Sequence, residues 1–128
     1  KIEQAIEAVK AFHEAFGIEN SEQPKADIPD DQKTLRYNLM KEENEEYLAA
    51  TKEDDLIEIA DALGDQLYIL CGTILKHGLQ DKIVDVFNEI HASNMSKLGA
   101  DGKPIYREDG KVLKGPNYFK PNIKQFFK

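Results

Sequence analysis

The spacing of apolar residues along the 128-residue chain predicts four helices. In each of them, apolar side chains recur every three or four positions, which is typical of a helix with one buried face. The predicted helices span residues 2–16, about 30–50, about 51–77 and about 80–97. The third is apolar almost all round between Gln66 and Leu75, so we expect it to be the central and most buried helix.

Local signals indicate where these helices begin and end. Asp30 or Asp31 is expected to cap the second helix, and Thr51-Lys52-Glu53-Asp54 resembles a capping box that would start the third. The run Lys76-His77-Gly78 should end the third helix, which favours a helix-end role for His77 over a catalytic one. The loop of residues 19–30 is long for a compact domain unless it crosses the bundle or covers a site.

The last thirty residues differ in character from the rest. Residues 103–107 and 111–114 flank an Asp-Gly pair, which predicts a small β-hairpin. The tail also carries too many aromatic residues to be disordered, so it should dock on the bundle or on a neighbouring subunit. The predicted fold class is therefore all-α, as one domain of residues 1–128. Within it we expect a four-helix bundle at 1–98, and a C-terminal β-hairpin with an extended tail at 99–128.

Two acidic segments, one on each of the two middle helices, carry the candidate chemistry. At about 100° per residue, Glu43 and Glu46 share the apolar stripe of the second helix. Glu58 and Asp61 lie on one face of the third helix, which Asp65 shares. Because burying ionised carboxylates is costly unless a cation compensates, Glu43, Glu46, Glu58 and Asp61 are the predicted metal ligands. Their oxygen-only donor set favours Mg²⁺, or Mn²⁺; the alternative is a solvated acidic face.

These segments resemble those of the MazG-type all-α nucleoside triphosphate pyrophosphohydrolases, which include phosphoribosyl-ATP pyrophosphohydrolase and the dimeric dUTPases. The matching residues are Glu42-Glu43-x-x-Glu46 and Glu58-x-x-Asp61-x-Leu63-Gly64-Asp65. The resemblance implies a helical bundle of this type, Mg²⁺-dependent cleavage of a nucleoside triphosphate between its α and β phosphates, and release of pyrophosphate. It also implies a homo-oligomer, which we expect to be a homodimer or homotetramer.

Further residues receive predicted roles in that reaction. Glu42 or Glu46 would act as base for the attacking water, and their spacing does not choose between them. The sequence has no glycine-rich phosphate loop, so phosphate binding falls to lysines and the metal. The substrate-binding candidates are Lys97, Lys111 and Lys114 for phosphate, and Asn94 and Asn117 for sugar or base. For each of these five, the alternative is an ordinary surface residue.

The net charge and its distribution along the chain limit the kinds of partner that the protein is expected to bind. The net charge of −7 argues against a nucleic-acid surface. Residues 41–65 carry ten acidic and two basic side chains, whereas residues 97–128 carry eight basic and three acidic ones. An acidic region for metal and a basic region for phosphate suit a metal–polyphosphate substrate, although a solubilising pattern with a basic tail is the alternative.

Localisation and rival functions complete the prediction. No apolar run is long enough to cross a membrane, and the N-terminal residues lack the apolar region of a signal peptide. We therefore expect a cytoplasmic protein without a membrane partner, with Cys71 as a core residue. Two other functions stay open: phosphoribosyl-ATP pyrophosphohydrolase, and a non-catalytic helical module whose acidic face binds a basic partner.

Overall fold

In the computed structural model, which describes residues 1–127, the protein is all-α with one small β-hairpin. The elements are α1 (Ile2–Ala15), α2 (Asp30–Lys52), α3 (Leu56–Lys76), α4 (Ile83–Met95), β1 (Ile105–Tyr106), β2 (Val112–Leu113) and a 3-10 helix (Ile123–Phe127). The two strands are antiparallel, with Ile105 opposite Leu113. The predicted fold class and hairpin are confirmed. The chain forms two compact units, Lys1–Asp81 and Lys82–Lys128, and its single-domain organisation stays a prediction.

The first unit is built on α3, which packs against both α1 and α2. Arg36 of α2 bonds to the C-terminal half of α3, whereas Asn44, further along α2, bonds to the earlier residue Gln66. The two helices therefore run antiparallel. The buried apolar core comes from all three helices and the loop between α1 and α2: Ile6, Val9, Ile28, Ala50, Ala62, Cys71, Ile74 and Leu75. As predicted, α3 is the central helix of this unit and Cys71 is a core residue.

The burial of α3 is less complete than its sequence predicts. Leu67, Tyr68 and Leu70 are 45%, 43% and 47% exposed, although all three lie in the stretch expected to be buried all round. The prediction is wrong for these three residues within one chain, because α1 and α2 cover only part of the circumference of α3. No helix among residues 1–127 is long and apolar enough to cross a membrane.

The start of α3 also differs from its prediction. Thr51 lies in the last turn of α2, where its hydroxyl donates to the carbonyl of Leu48 at 2.7 Å. The chain then turns through Asp54 at a φ of 53°. The side chain of Asp55 accepts the N–H of Glu58 at 3.1 Å and caps α3 instead. The capping-box prediction is therefore wrong, because the Thr51 hydroxyl is used within its own helix.

The loop between α1 and α2 packs on the C-terminal end of α3. The Ser21 N–H donates to the carbonyl of Leu75 at 3.0 Å, and the Lys25 N–H donates to that of His77 at 2.8 Å. Gly78, at a φ of 66°, follows the helix end, and a Cβ there would lie 2.1 Å from the carbonyl oxygen of Gln23. The end of α3 and the helix-end role of His77 are confirmed.

The second unit folds the tail back onto α4. The Ser93 hydroxyl donates to the carbonyl of Phe119 at 2.8 Å, and the Asn122 N–H donates to a carboxylate oxygen of Glu89 at 2.8 Å. A Cβ at Gly115 would lie 2.0 Å from the carbonyl oxygen of Leu98, so only glycine permits this approach. The tail is therefore ordered and docks within its own chain.

Candidate active site

Three carboxylates from α2 and α3 form a cluster, which we call the carboxylate cluster. One oxygen from each of Glu43, Glu46 and Asp65 lies within 4.8 Å of the others. Glu43 and Glu46 are one turn apart on α2, so their side chains leave the same face. Asp65 reaches them because α3 runs antiparallel to α2, and a 3.2 Å hydrogen bond from Gln66 Nε2 to Asn44 Oδ1 connects the helices at this level.

Glu43 is half-buried. Its Oε2 is buried and has no hydrogen-bond partner among residues 1–127, although buried polar atoms are nearly always partnered in folded proteins. Burial, then a side-chain hydrogen bond with Glu46, and then the negative charges of Glu46, Asp65 and Glu42 raise the pKa of Glu43 to about 7. No lysine or arginine in this part of the chain forms an ion pair with the cluster. The cluster therefore concentrates negative charge without a positive partner of its own.

Glu58 and Asp61 lie beside the carboxylate cluster. Both line a cleft of about 500 Å³ that Glu46 also lines, and all three side chains are exposed. Glu46 therefore belongs to both the cluster and the cleft. Of the four predicted ligands, Glu43 and Glu46 meet in the cluster, whereas Glu58 and Asp61 face the cleft. Glu42 is exposed and contributes its charge at Glu43.

Asp65 is the cluster member that the predicted ligand set lacks. Helical spacing places it on one face with Glu58 and Asp61, but spacing alone does not say which of the three lies opposite Glu43. That choice depends on the register of α3 against α2, which follows from the turn at Asp54. The signal in the sequence is that Asp65 comes one turn before Tyr68, towards the more apolar part of the helix.

The carboxylate cluster fits a divalent cation. Its donors are carboxylate oxygens only, which suit Mg²⁺ or Mn²⁺ better than zinc or copper. A cation would partner the buried Oε2 of Glu43 and offset the mutual repulsion that raises the pKa of this residue. Glu58 and Asp61 offer further oxygens from the adjoining cleft.

A second feature of the same helices is a cavity of about 750 Å³ lined by residues of α1, α2 and α3, which we call the basic cavity. Three buried side chains that can carry positive charge line it: His13, Arg36 and Lys76, which are 3%, 9% and 9% exposed. The rings of Phe12 and Tyr68 form part of its wall, in an edge-to-face pair with centroids 5.7 Å apart. This cavity is not predictable from the sequence, because it forms only where α1, α2 and α3 meet.

Arg36 is held in the basic cavity by α3. Its Nε donates to the Thr73 hydroxyl at 3.0 Å, and its Nη2 donates to the carbonyl of Ile69 at 2.9 Å. Gly72 leaves room for this arrangement, since a Cβ there would lie 2.7 Å from Nη2 of Arg36 and 3.1 Å from Nε2 of His13. Burial lowers the pKa of Arg36, because moving a charge out of water is unfavourable.

The predicted substrate-binding residues all lie in the second unit. The carbonyl of Lys97 accepts the N–H of Gly115 at 2.8 Å, and the ammonium of Lys114 lies 4.7 Å from the centre of the Tyr118 ring. The remaining three are exposed: Asn94, Lys111 and Asn117. The backbone of Lys97 therefore lies next to Gly115, the residue that follows Lys114. The roles of all five in substrate binding stay predictions.

The fold and the paired acidic helices define the class of this protein: the MazG-type all-α pyrophosphohydrolases, as the resemblance predicted. The model of the family described as phosphoribosyl-ATP pyrophosphohydrolase matches residues 9–94, which is more than half of the chain. The chain belongs to that family. The matched region contains both the carboxylate cluster and the residues of the adjoining cleft.

A solved structure matches nearly the whole chain. It is the crystal structure of a candidate NTP pyrophosphohydrolase from Exiguobacterium sp. 255-15, which is 27% identical in sequence. The match covers 96% of this chain and 93% of that chain, with a TM-score of 0.54. No curated protein sequence shows significant similarity. The family and the solved structure agree on a pyrophosphohydrolase, which is a hydrolase acting on phosphoric anhydrides.

Proposed function

We propose that this protein is a Mg²⁺-dependent nucleotide pyrophosphohydrolase, which converts an NTP or dNTP to the monophosphate and pyrophosphate. The carboxylate cluster carries the proposal, because its three oxygens lie within 4.8 Å and Glu43 has a buried oxygen without a partner. Like charges this close destabilise the folded protein unless a cation offsets them. The family and the Exiguobacterium protein supply the class of reaction.

The proposed metal ligands come from both acidic features. Glu43, Glu46 and Asp65 would hold Mg²⁺ or Mn²⁺, and Glu58 and Asp61 would add oxygens from the cleft that Glu46 also lines. When bound, the ion supplies positive charge that neutralises the phosphate oxygens as the phosphorus–oxygen bond breaks. The requirement for five carboxylates is tested by single Gln or Asn substitutions, each assayed for Mg²⁺ binding and for pyrophosphate release.

A carboxylate is also proposed to accept a proton from the attacking water. The water oxygen bonds to phosphorus, the bond from phosphorus to the bridging oxygen breaks, and pyrophosphate leaves. Glu42 and Glu46 are the two candidates for this base. Substitution of the base should lower kcat and leave Mg²⁺ binding intact, whereas substitution of a ligand should weaken both. Parallel measurements on Glu42→Gln and Glu46→Gln therefore assign the role.

The second unit is proposed to bind the substrate. Lys97, Lys111 and Lys114 would contact the phosphates, since lysine is a compact charged donor. Asn94 and Asn117 would contact the sugar or base through their amide groups. The support for these roles is the basic character of residues 97–128 against the acidic residues 41–65.

A second candidate reaction is the hydrolysis of phosphoribosyl-ATP, which the matching family model favours. One experiment separates the possibilities: pyrophosphate release from ribo- and deoxyribonucleoside triphosphates and from phosphoribosyl-ATP, each with Mg²⁺ or with EDTA. Metal-dependent release from nucleoside triphosphates supports the proposal, and release from phosphoribosyl-ATP alone supports the second candidate. No release from any of them would contradict both and favour a non-catalytic module.

We also propose that the protein assembles as a homodimer or homotetramer. One stripe of α3 consists of leucines that this chain leaves exposed by 45% or more: Leu56, Leu63, Leu67 and Leu70. A continuous apolar stripe of this kind gains stability when a second molecule covers it. Light scattering at micromolar concentration measures the assembly, and a monomer mass would contradict the proposal.

A further inference from the structure

The basic cavity is not accounted for by the carboxylate cluster. In the described part of the chain, no carboxylate lies within ion-pair distance of Arg36 or Lys76, although Glu19 and Asp31 also line the cavity. An arginine that is 91% buried, given its 9% exposure, is costly without a charged partner. The cavity therefore presents positive charge and hydrogen-bond donors to whatever enters it.

Arg36 presents hydrogen-bond donors of fixed direction to the cavity. Two bonds to α3, from Nε to Thr73 and from Nη2 to Ile69, fix the plane of its guanidinium. Nη1 makes no hydrogen bond to an acceptor in residues 1–127, so its two N–H groups are oriented before a ligand arrives. The ammonium of Lys76 uses one of its three N–H groups on the carbonyl of Glu19 at 2.5 Å. Arg36 thus offers a ligand a pair of donors whose directions are already fixed.

The basic cavity lies next to the carboxylate cluster along α2 and α3. Leu39 and Tyr68 line the cavity, and each lies about one helical turn from a cluster residue, Glu43 and Asp65 respectively. Arg36 is seven residues from Glu43, about 10 Å along α2 at 1.5 Å per residue. A nucleotide whose phosphates lie at the cluster can therefore extend its sugar and base along these two helices into the cavity.

The cavity wall suits a flat aromatic ligand. Phe12 and Tyr68 are 40% and 43% exposed, so their rings remain accessible although they line the cavity. Nucleic-acid bases stack on such rings regardless of their identity. Stacking would hold any base, and the fixed N–H groups of Arg36 would distinguish one base from another.

We infer that the basic cavity holds the base of the nucleotide and that Arg36 recognises the C4 carbonyl oxygen of a pyrimidine or the C6 carbonyl oxygen of a purine. The inference rests on the proposed function and names its substrate class: nucleotides of uracil, thymine, guanine or hypoxanthine. Adenine and cytosine carry an amino group where hypoxanthine and uracil carry the carbonyl, and an amino group offers Arg36 only further donors. Arg36 is therefore a specificity-determining residue. His13, whose Nδ1 lies 2.6 Å from Oδ1 of Asn20, also lies above Gly72.

Two substrate pairs test the inference on the wild-type protein with Mg²⁺. ITP differs from ATP, and UTP from CTP, by a carbonyl in place of an amino group. We expect kcat/KM to favour ITP and UTP by about 10- to 100-fold, the usual range for one hydrogen bond to a charged group. Equal values within both pairs, or a preference for ATP and CTP, would overturn the inference and leave the proposed hydrolysis standing.

Two variants test whether Arg36 causes the preference for ITP over ATP and for UTP over CTP. Arg36→Met keeps an apolar stem and removes the donors, so both ratios should fall to near one. Arg107→Met is the matched control, because Arg107 is an exposed arginine paired with Asp109 in the hairpin; its ratios should equal those of the wild type. Unchanged ratios in folded Arg36→Met would overturn the assignment to Arg36.

Binding of nucleosides tests the same cavity without hydrolysis and without a variant. Inosine and uridine carry no phosphate, so their binding to the wild-type protein in EDTA is independent of the metal. Calorimetry should show tighter binding of inosine than adenosine, and of uridine than cytidine. Equal or reversed affinities would contradict base recognition even if the protein hydrolyses nucleotides, and the expected order would support it even if the protein does not.

Discussion

The carboxylate cluster and the basic cavity both lie along the antiparallel helices α2 and α3, but the cluster is built from acidic side chains, whereas the buried charged side chains of the cavity are basic. In the cluster, oxygens of Glu43, Glu46 and Asp65 lie within 4.8 Å of one another, and no lysine or arginine of residues 1–127 forms an ion pair with them. In the cavity, Arg36 and Lys76 are buried and form no ion pair with a carboxylate of residues 1–127. Opposite charges that paired with each other would stabilise the folded chain, so their separation indicates surfaces arranged for a ligand with its own charges and acceptors.

The two regions also differ in what holds them together. Hydrogen bonds to α3 fix Arg36, and Gly72 provides the space for it. The carboxylates, in contrast, lie close together although like charges repel, and burial, a hydrogen bond with Glu46 and the neighbouring negative charges all raise the pKa of Glu43. The cavity should therefore depend on packing, whereas the cluster should depend on the bound ion.

The largest expected effect is the loss of activity when Glu43 of the carboxylate cluster is substituted, in contrast to substitution of a nearby acidic residue outside the cluster. Glu43→Gln should reduce Mg²⁺-dependent pyrophosphate release by about 100-fold or more, since even residues behind a metal ligand commonly contribute 10- to 100-fold. Glu45→Gln is the control, because Glu45 is exposed and faces Lys41 instead; its activity should match the wild type. Equal activity of both variants in a pyrophosphate assay would contradict the assignment of Glu43.

The next prediction concerns the packing of the cavity. Gly72→Ala should lower the free energy of unfolding by about 1–3 kcal/mol, as overpacking typically does, because the new Cβ displaces Arg36 from its bonds to Thr73 and Ile69. Gly64→Ala is the matched control on the same helix, since a Cβ there meets nothing within 4 Å. It should stabilise the protein by up to about 1 kcal/mol through helix propensity.

Urea unfolding measures both glycine variants. If Gly72→Ala were as stable as Gly64→Ala, the close approach of Arg36 to α3 would not exist in solution. Alanine at position 72 should also reduce any preference for ITP over ATP, while alanine at position 64 should leave that ratio unchanged.

A smaller effect is expected in the second unit. The double substitution Lys111→Met/Lys114→Met should raise KM for a nucleoside triphosphate about tenfold, because a charge-assisted phosphate contact contributes about 1.5–3 kcal/mol. Lys120→Met, also an exposed lysine of this unit, is the control. If both proteins are folded and have the wild-type KM, these two lysines do not bind substrate.

The smallest predicted effect is a dependence of stability on pH in the absence of metal. The pKa of Glu43 is raised from 4.5 to about 7 in the folded protein. Its contribution to stability is therefore complete below about pH 4.5, and it is lost as the pH rises through about 7. Between about pH 5 and about pH 8, the melting temperature in EDTA should fall further for the wild type than for Glu43→Gln. Parallel curves would contradict the raised pKa.

Much of the fold is predictable because it depends on local pattern. The helices follow from the spacing of apolar residues, and the hairpin follows from Asp109-Gly110, with Gly110 at a φ of 85°. The start of α3 was not predictable in this way. Thr51 has the right chemistry for a cap, but its hydroxyl bonds within α2, and Asp55 takes the role after the turn at Asp54.

The candidate site is likewise predictable where it depends on spacing within one helix, and not where it depends on how the helices pack. Glu43 and Glu46 follow from a spacing of one helical turn, which the sequence states directly. Asp65 requires the register between two helices, which only the folded turn provides. The basic cavity requires three elements to meet over Gly72, and no pattern within one helix indicates that a glycine there makes room for Arg36.

The central claim is that the carboxylate cluster is a metal centre, and a Mg²⁺ titration followed by thermal unfolding tests it most directly. A ligand that binds only the folded state adds about 2.7 kcal/mol when its concentration is 100 times its Kd. The melting temperature of the wild type should therefore rise with Mg²⁺ and with Mn²⁺, and that of Glu43→Gln/Asp65→Asn should not. An equal rise in both proteins would show that the metal binds elsewhere, and no rise in either would contradict a metal centre altogether.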